Sequence, residues 1–169
     1  MNKEQRTAIF PGSFDPFTKG HADLVERGLR LFDSLIIAVG YNEQKQGWIP
    51  TEERVRALKE LYANDSRIMV EAYKTLTTDF AKEKNAAFIL RGVRSVKDYE
   101  YEQQIALVNQ QLTGIETVIL FANPTLGHIS SSMARELDHF GHDITSFLPE
   151  SLQYEKSGST KESHKHNHV

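Results

Sequence analysis

The residues most able to do chemistry follow the first apolar run. Phe10-Pro11-Gly12-Ser13-Phe14-Asp15-Pro16-Phe17-Thr18-Lys19-Gly20-His21 leads into Leu24, Val25, Gly28 and Phe32, which recur as one face of a helix. A glycine-bearing turn that runs into a helix start offers unpaired backbone N–H groups and the positive end of a helix dipole, and both attract phosphate. His21 at that mouth can donate to a phosphoryl oxygen and stabilise charge that develops during transfer. Gly20 lets a nucleotide approach the backbone closely, and Ser13 adds a hydroxyl donor. The plainer alternative is a shaped loop in which His21 only caps its helix.

Two further stretches suit anions. Arg91-Gly92-Val93-Arg94 follows an apolar run at Ala86 to Leu90, so it falls where an open sheet binds ligands. Its guanidinium forks match phosphate oxygens, with Gly92 removing bulk beside a nucleotide; a solvated surface turn is the alternative. Ser130-Ser131-Ser132 precedes Met133, Leu137 and Phe140, spaced as one helical face, so the serines occupy a helix start as caps and as phosphate donors. Lys45, in a polar loop, can neutralise phosphate or simply be solvated.

These residues need a scaffold that gathers them. Apolar runs at Thr7 to Phe10, Leu35 to Val39, Ile68 to Val70, Ala86 to Leu90 and Thr117 to Phe121 read as buried strands. Helical spacing lies between them, including a helix capped by Thr51 and a long one from Lys97 to Leu112 with a buried or intersubunit face. Alternating strands and helices imply an α/β fold: a Rossmann-like open parallel sheet with helices on both faces.

Composition narrows the classes. With 169 residues and 39% hydrophobic content, one core is expected, over residues 1–153, and a polar tail over 154–169 without apolar periodicity that stays disordered. His164, His166 and His168 fall in this tail and are assigned no function. The net charge of -3 argues against a nucleic-acid or membrane-surface partner. The absence of cysteine excludes disulfides, thiolate nucleophiles and cysteine metal sites, and a polar start without a signal-like apolar run makes a cytoplasmic location the expectation.

In its Gly-x-Phe-Asp-Pro turn at 12–16 and its Thr-x-Gly-His motif at 18–21, the sequence resembles the nucleotidyltransferase superfamily. Thr18, the Arg91–Arg94 motif with Asp98, Tyr101 and Glu102, and Ile129 with the three serines are most similar to the phosphopantetheine adenylyltransferase family, over roughly Arg6 to Pro149. That resemblance implies transfer of the adenylyl group of ATP to 4'-phosphopantetheine, giving dephospho-coenzyme A and pyrophosphate. It further implies magnesium, a homohexamer and inhibition by coenzyme A.

By the same resemblance, His21, Lys45 and Arg91 are catalytic. Ser13, Phe14, His21, Gly92, Val93, Arg94, Glu102, Leu126, Gly127, His128, Ile129, Ser130, Ser131 and Ser132 bind ATP. Ser13, Lys45, Thr77, Arg91 and Asn109 bind the acceptor. The chain departs from the family's usual pattern at Leu126 and His128, where aromatic residues are frequent, and at Thr77, where methionine is. Competing readings are a relative that adenylylates nicotinamide mononucleotide or transfers CMP, a catalytically silent nucleotide sensor, and a purely structural module.

Overall fold

The computed structural model describes residues 5–41 and 47–154. Strands β1 (Thr7–Gly12), β2 (Ser34–Gly40), β3 (Ile68–Tyr73), β4 (Phe88–Val93) and β5 (Glu116–Phe121) alternate with helices α1 (Lys19–Gly28), α2 (Thr51–Leu61), α3 (Thr77–Glu83) and α4 (Val96–Thr113), and α5 (Ser131–His139) closes the series. The strands form one parallel sheet in the order β3-β2-β1-β4-β5. The α/β architecture expected from the sequence is the one observed; the central strands β1 and β2 are buried as their continuous apolar runs require, whereas β3 and β5, expected to be buried as well, are edge strands and lie partly exposed.

Side-chain alternation along the strands builds two cores. Ala8, Phe10, Leu35, Ile37, Val39, Val70 and Leu90 pack with Leu24 and Val25 of α1 and Ala57 and Leu58 of α2. Ile9, Ile36, Ala38 and Ile89 face the other way, against Phe80 and Ala81 of α3. Helix α4 lies over β4 and β5.

The chain leaves β3 on one side and returns as β4 on the other, so the order reverses between β1 and β4. These two strands pair only at Ala8 with Phe88 and at Ile9 with Ile89, then diverge toward their carboxyl ends. Pro11 lies just past that pairing and has no N–H to extend a ladder. The resulting crevice is where an open α/β sheet takes ligands.

Several boundaries differ from the sequence-based expectation. The β4–β5 ladder runs on through Val93 opposite Phe121, so Arg91, Gly92 and Val93 belong to the strand rather than to a turn after it. Ala86 sits before β4, its N–H bonded to the carbonyl of Ala81. Thr51 is the first residue of α2 and not its cap; Pro50 precedes it, and the Thr51 hydroxyl accepts from Arg54 Nη2 at 2.7 Å. Helix α1 stops at Gly28, and Phe32 is buried from the following turn.

Helix α4 extends one residue beyond each expected end, capped by Ser95, whose hydroxyl accepts from the N–H of Asp98, and by Gly114 at a left-handed φ of 74°. The stripe expected on α5 is largely exposed: Met133 and Phe140 face solvent and Ala134 is the buried contact. Tyr154, assigned by composition to the tail, packs on the body and accepts from the N–H of Phe17 at 3.0 Å, because its ring and hydroxyl suit that half-buried position. The rest of the expected tail, with His164, His166 and His168, lies outside the described residues.

Gly92 joins α1 to β4. A Cβ at this position would meet Leu24 Cδ1 at 2.3 Å, and Leu24 is itself buried. The missing side chain thus serves helix–strand packing. Gly92→Ala should lower stability by about 1–3 kcal/mol through overpacking, in urea unfolding of the ligand-free protein; equal unfolding midpoints would show that the space is reserved for a ligand instead.

Candidate active site

The turn after β1 is buried from Phe14 to Thr18, so its polar backbone must be satisfied internally. Phe14 adopts a φ of 50°, uncommon for a side chain of its size, and its ring lies edge-on to Phe10 at 5.1 Å. Gly12 makes room for that ring, since a Cβ there would sit 2.9 Å from it.

Side chains from distant segments bind the turn. Arg54 Nη1 donates to the carbonyl of Ser13, Arg135 Nη1 to that of Asp15 at 2.6 Å, and Ser131 Oγ to that of Pro16 at 2.8 Å. The Asp15 carboxylate accepts from the N–H groups of Trp48 at 2.7 Å and Ile49 at 2.8 Å. Asp15, Arg54, Arg135 and Tyr154 were not singled out from the sequence. The Asp15-Pro16 pair lay inside the recognised motif, but the other three carry no local signal because their partners are remote in the chain.

His21 stands at the third position of α1. The N–H of Thr18 donates to His21 Nδ1 at 3.0 Å, and Thr18 Oγ1 lies 3.1 Å from the same atom. A backbone N–H can only donate, so Nδ1 is the acceptor and the ring proton sits on Nε2. Capping therefore uses Nδ1 and leaves the Nε2–H free of that role. The ring is packed by Phe10, Phe14 and Phe17, with centroids 6.2, 5.1 and 5.3 Å away. Burial, with the positive charges of Arg94 and Arg91 adding to it, lowers its pKa from 6.5 to about 4. At neutral pH His21 is a neutral Nε2–H donor.

Two clefts open at the crevice. The larger, about 640 Å³, is lined by Ser13, Phe14, His21, Arg91, Gly92, Arg94, Glu102, Leu126, Ile129 and Ser130 to Ser132 among others. The smaller, about 360 Å³, lies between α3 and α4 and includes Ser13, Thr77, Arg91 and Asn109. Pro11, Gly12, Ser13, Arg91 and Glu102 line both, so they form a common wall.

Most positions expected to bind ATP gather in the larger cleft, and the described acceptor positions gather in the smaller. Three do not join them. The Val93 side chain is buried in the core. Gly127 and His128 lie outside the cleft lining, and the exposed His128 ring stands edge-on to Phe147 at 6.1 Å. Lys45 lies outside the described residues. Thr77 bonds Tyr73 Oη at 3.0 Å, which places its hydroxyl at the cleft edge.

The serines are not equivalent. Ser130 caps α5 by accepting from the N–H of Met133 at 3.1 Å, Ser131 ties the turn at Pro16, and Ser132 Oγ lies 3.4 Å from Arg135 Nη2. Capping uses one hydroxyl and tertiary bonding another. The α5 helix start still faces the cleft. Arg94 pairs with Asp98 at 3.6 Å and is half-exposed, whereas Arg91 is gripped by Glu102 and by the carbonyl of Pro11. Leu24, Lys97, Tyr101 and Asn123 also line the larger cleft, and Tyr41, Tyr73 and Ile105 the smaller; sequence reasoning did not put these forward as ligands, although Tyr101 belonged to the recognised motif, since the others stand alone in the sequence without a motif to mark them.

A parallel sheet with two clefts meeting at its switch point is the arrangement by which open α/β proteins take nucleotide-like ligands. The model of the cytidylyltransferase-like family matches residues 9–137. The chain is 53% identical to a phosphopantetheine adenylyltransferase of Phocaeicola vulgatus over 148 residues, covering 88% of this chain and 98% of that one. It is 47% identical to the enzyme of the same name from Bacteroides fragilis, covering 88% and 99%. A crystal structure of a bifunctional NMN adenylyltransferase/ADP ribose pyrophosphatase from Francisella tularensis shares the fold, with a TM-score of 0.65 at 13% identity over 86% of this chain; the match spans 45% of that longer protein. The chain belongs to the cytidylyltransferase-like family and, within it, to the phosphopantetheine adenylyltransferases.

The depressed pKa of His21 has a thermodynamic consequence. Between pH 6.5 and about 4 the unfolded chain takes up a proton that the folded site resists, so stability present above pH 6.5 is lost as pH falls through that window. In urea unfolding at pH 7 and pH 5, wild type should lose more stability on acidification than His21→Gln, and equal losses would show that the imidazole titrates normally.

Proposed function

We propose that this chain joins the AMP moiety of ATP to the phosphate of 4'-phosphopantetheine, forming dephospho-coenzyme A and releasing pyrophosphate. The observation that carries this reading is the wall shared by the two clefts, with His21 on the donor side and Arg91 common to both. A nucleotide fits the larger cleft and an elongated, phosphorylated acceptor the smaller. Their reacting phosphates then meet at the Pro11–Ser13 turn.

An acceptor phosphate oxygen forms a bond to the α-phosphorus of ATP while the bond from that phosphorus to the α–β bridging oxygen breaks. The electron pair leaves with pyrophosphate. Because the acceptor is itself the nucleophile, the protein positions and neutralises. His21 Nε2–H donates to an α-phosphoryl oxygen, where charge accumulates in the transition state. Arg91, with Lys45, holds the acceptor phosphate. Arg94 and the start of α5 at Ser130 to Ser132 receive the departing pyrophosphate.

Magnesium belongs to the same reading, carried on the triphosphate oxygens and water. The carboxylates lining the donor cleft, Asp98 and Glu102, are each paired with an arginine, and no cluster of three metal-ligating side chains occurs among the described residues. The described residues therefore form no dedicated cage there, and no step depends on one.

The proposal extends to a homohexamer in the cytoplasm that is inhibited by coenzyme A. Val96, Tyr101, Leu107, Val108 and Leu112 of α4 are more than half exposed, which supports association between copies through that helix. No helix among the described residues is long and apolar enough to cross a membrane. Coenzyme A combines an adenine nucleotide with a pantetheine arm and so has parts for both clefts.

Pyrophosphate release from magnesium-ATP, measured with 4'-phosphopantetheine, nicotinamide mononucleotide and glycerol 3-phosphate in turn, tests the assignment. Release is expected with the first acceptor alone. His21→Ala should reduce kcat on the order of 100- to 1000-fold while the circular dichroism spectrum is retained. Release with another acceptor would move the substrate, and silence with all three would favour a nucleotide sensor.

A further inference from the structure

Beyond the wall it shares with the larger cleft, the smaller cleft has a part of its own, in which Ile89, Ile105 and Ala106 present apolar surface. A pair of hydroxyls stands in that part. Tyr73 Oη, at the end of β3, lies 3.0 Å from Oγ1 of Thr77, the first residue of α3, and both residues line the smaller cleft and not the larger. The tyrosine ring stacks on buried Phe80, with centroids 5.0 Å apart and an interplanar angle of 23°, which fixes where its hydroxyl ends. Gly40, opposite Tyr73 in the β2–β3 ladder, carries no side chain where a Cβ would stand 4.0 Å from Tyr73 Oη. Hydroxyls bonded to each other use one O–H between them, so the pair keeps a second O–H and free lone pairs for another group.

We infer that this pair selects the acceptor by its arm: Tyr73 hydrogen-bonds an amide of the arm, and Thr77 holds the tyrosine hydroxyl in the orientation that does so. The inference deepens the adenylyl-transfer reading given above and rests on it. An acceptor whose phosphate is drawn to Arg91 and Ser13 at the shared wall must run its arm away from that wall, into the part of the cleft where Tyr73 and Thr77 lie. The arm of 4'-phosphopantetheine consists of amides joined by short apolar links, and each amide gives up water as it enters. An amide N–H needs an acceptor and its C=O a donor, and the open O–H and lone pairs of the hydroxyl pair match either. The apolar links meet Ile89, Ile105 and Ala106 instead. Glycerol 3-phosphate has no arm that reaches the pair, so it leaves the hydroxyls without a partner, and a site built to hydrogen-bond its substrate discriminates in this way.

Tyr73→Phe removes a single oxygen and keeps the ring on Phe80. The KM for 4'-phosphopantetheine should rise about 5- to 15-fold, the size of one hydrogen bond, while kcat and the KM for ATP stay within about twofold of wild type, because a contact remote from the reacting phosphates is made equally in the ground and transition states. Thr77→Val, which keeps the shape and removes the hydroxyl, should raise the same KM about two- to fivefold, and the double variant should match Tyr73→Phe within about twofold, since the residues act as a unit. Thr77→Val carries the test if Tyr73→Phe does not fold. Neopentyl glycol monophosphate, which has a phosphate and the branched carbon of the acceptor but no amide, should inhibit wild type and Tyr73→Phe with the same inhibition constant. A pair that only stabilises the start of α3 would lower the urea midpoint of Tyr73→Phe and leave the KM for 4'-phosphopantetheine unchanged, which would overturn the inference. So would an equal rise in the KM for ATP, weaker inhibition of Tyr73→Phe by the amide-free phosphate, or losses that multiply in the double variant. Wild-type turnover with 4'-phosphopantetheine is measured alongside, so failure of the functional reading shows as silence of the wild type, whereas failure of this inference shows as an active wild type and an unchanged variant.

Discussion

The site depends on a buried polar turn. Between Phe14 and Thr18 the backbone leaves β1, crosses the sheet end out of contact with water and enters α1, and the carbonyls of Ser13, Asp15 and Pro16 and the N–H of Phe17 are satisfied by side chains rather than by a ladder or a helix. Leaving such a group unpaired costs roughly 1–3 kcal/mol. Arg54, Arg135, Ser131 and Tyr154 each supply one bond, from segments widely separated in the chain. Asp15 reaches in the opposite direction and holds the backbone of Trp48 and Ile49. Folding the domain therefore also shapes the site, because the turn held by these bonds joins Ser13 and Phe14 to Thr18, all of which line the larger cleft.

The electrostatics follow from that enclosure. Aromatic rings around His21 remove water, and Arg91 and Arg94 add positive potential, so the imidazole remains neutral where a solvated one would begin to charge. Neutrality is useful with Nδ1 occupied by Thr18, since it leaves a single directed donor at Nε2. Positive charge in the cleft comes instead from guanidinium groups, whose charge does not depend on pH in any working range.

The sheet order brings the two kinds of group together. Only at the β1–β4 reversal do the ends of two central strands part, and the carbonyl of Pro11 and the side chain of Arg91 meet across that gap. Helix α1 approaches closely because Gly92 carries no side chain against Leu24. Helix α4 instead makes its buried contact through Glu102 and leaves most of its apolar residues outside. One helix meets the sheet through buried apolar packing, whereas the fully buried contact of the other is an ion pair, and the second borders both clefts.

The sequence by itself determined the alternating strands and helices, the parallel sheet and the phosphate-friendly positions at Gly12 to His21, Arg91 to Arg94 and Ser130 to Ser132, because hydrophobic period, glycine placement and helix-start chemistry are local properties of the chain. Local pattern misjudged Thr51, read as a cap, since its hydroxyl is claimed by Arg54; it also ended β4 at Leu90, since only the ladder to β5 carries the strand through Val93. Tertiary structure alone decided that Glu102 faces Arg91, that Val93 points into the core, that Gly127 and His128 fall outside the cleft, and that Tyr154 closes on Phe17. Each of these is set by which residues remote in sequence become neighbours, and the packing of helices on a twisted sheet fixes that only once the whole chain is in place.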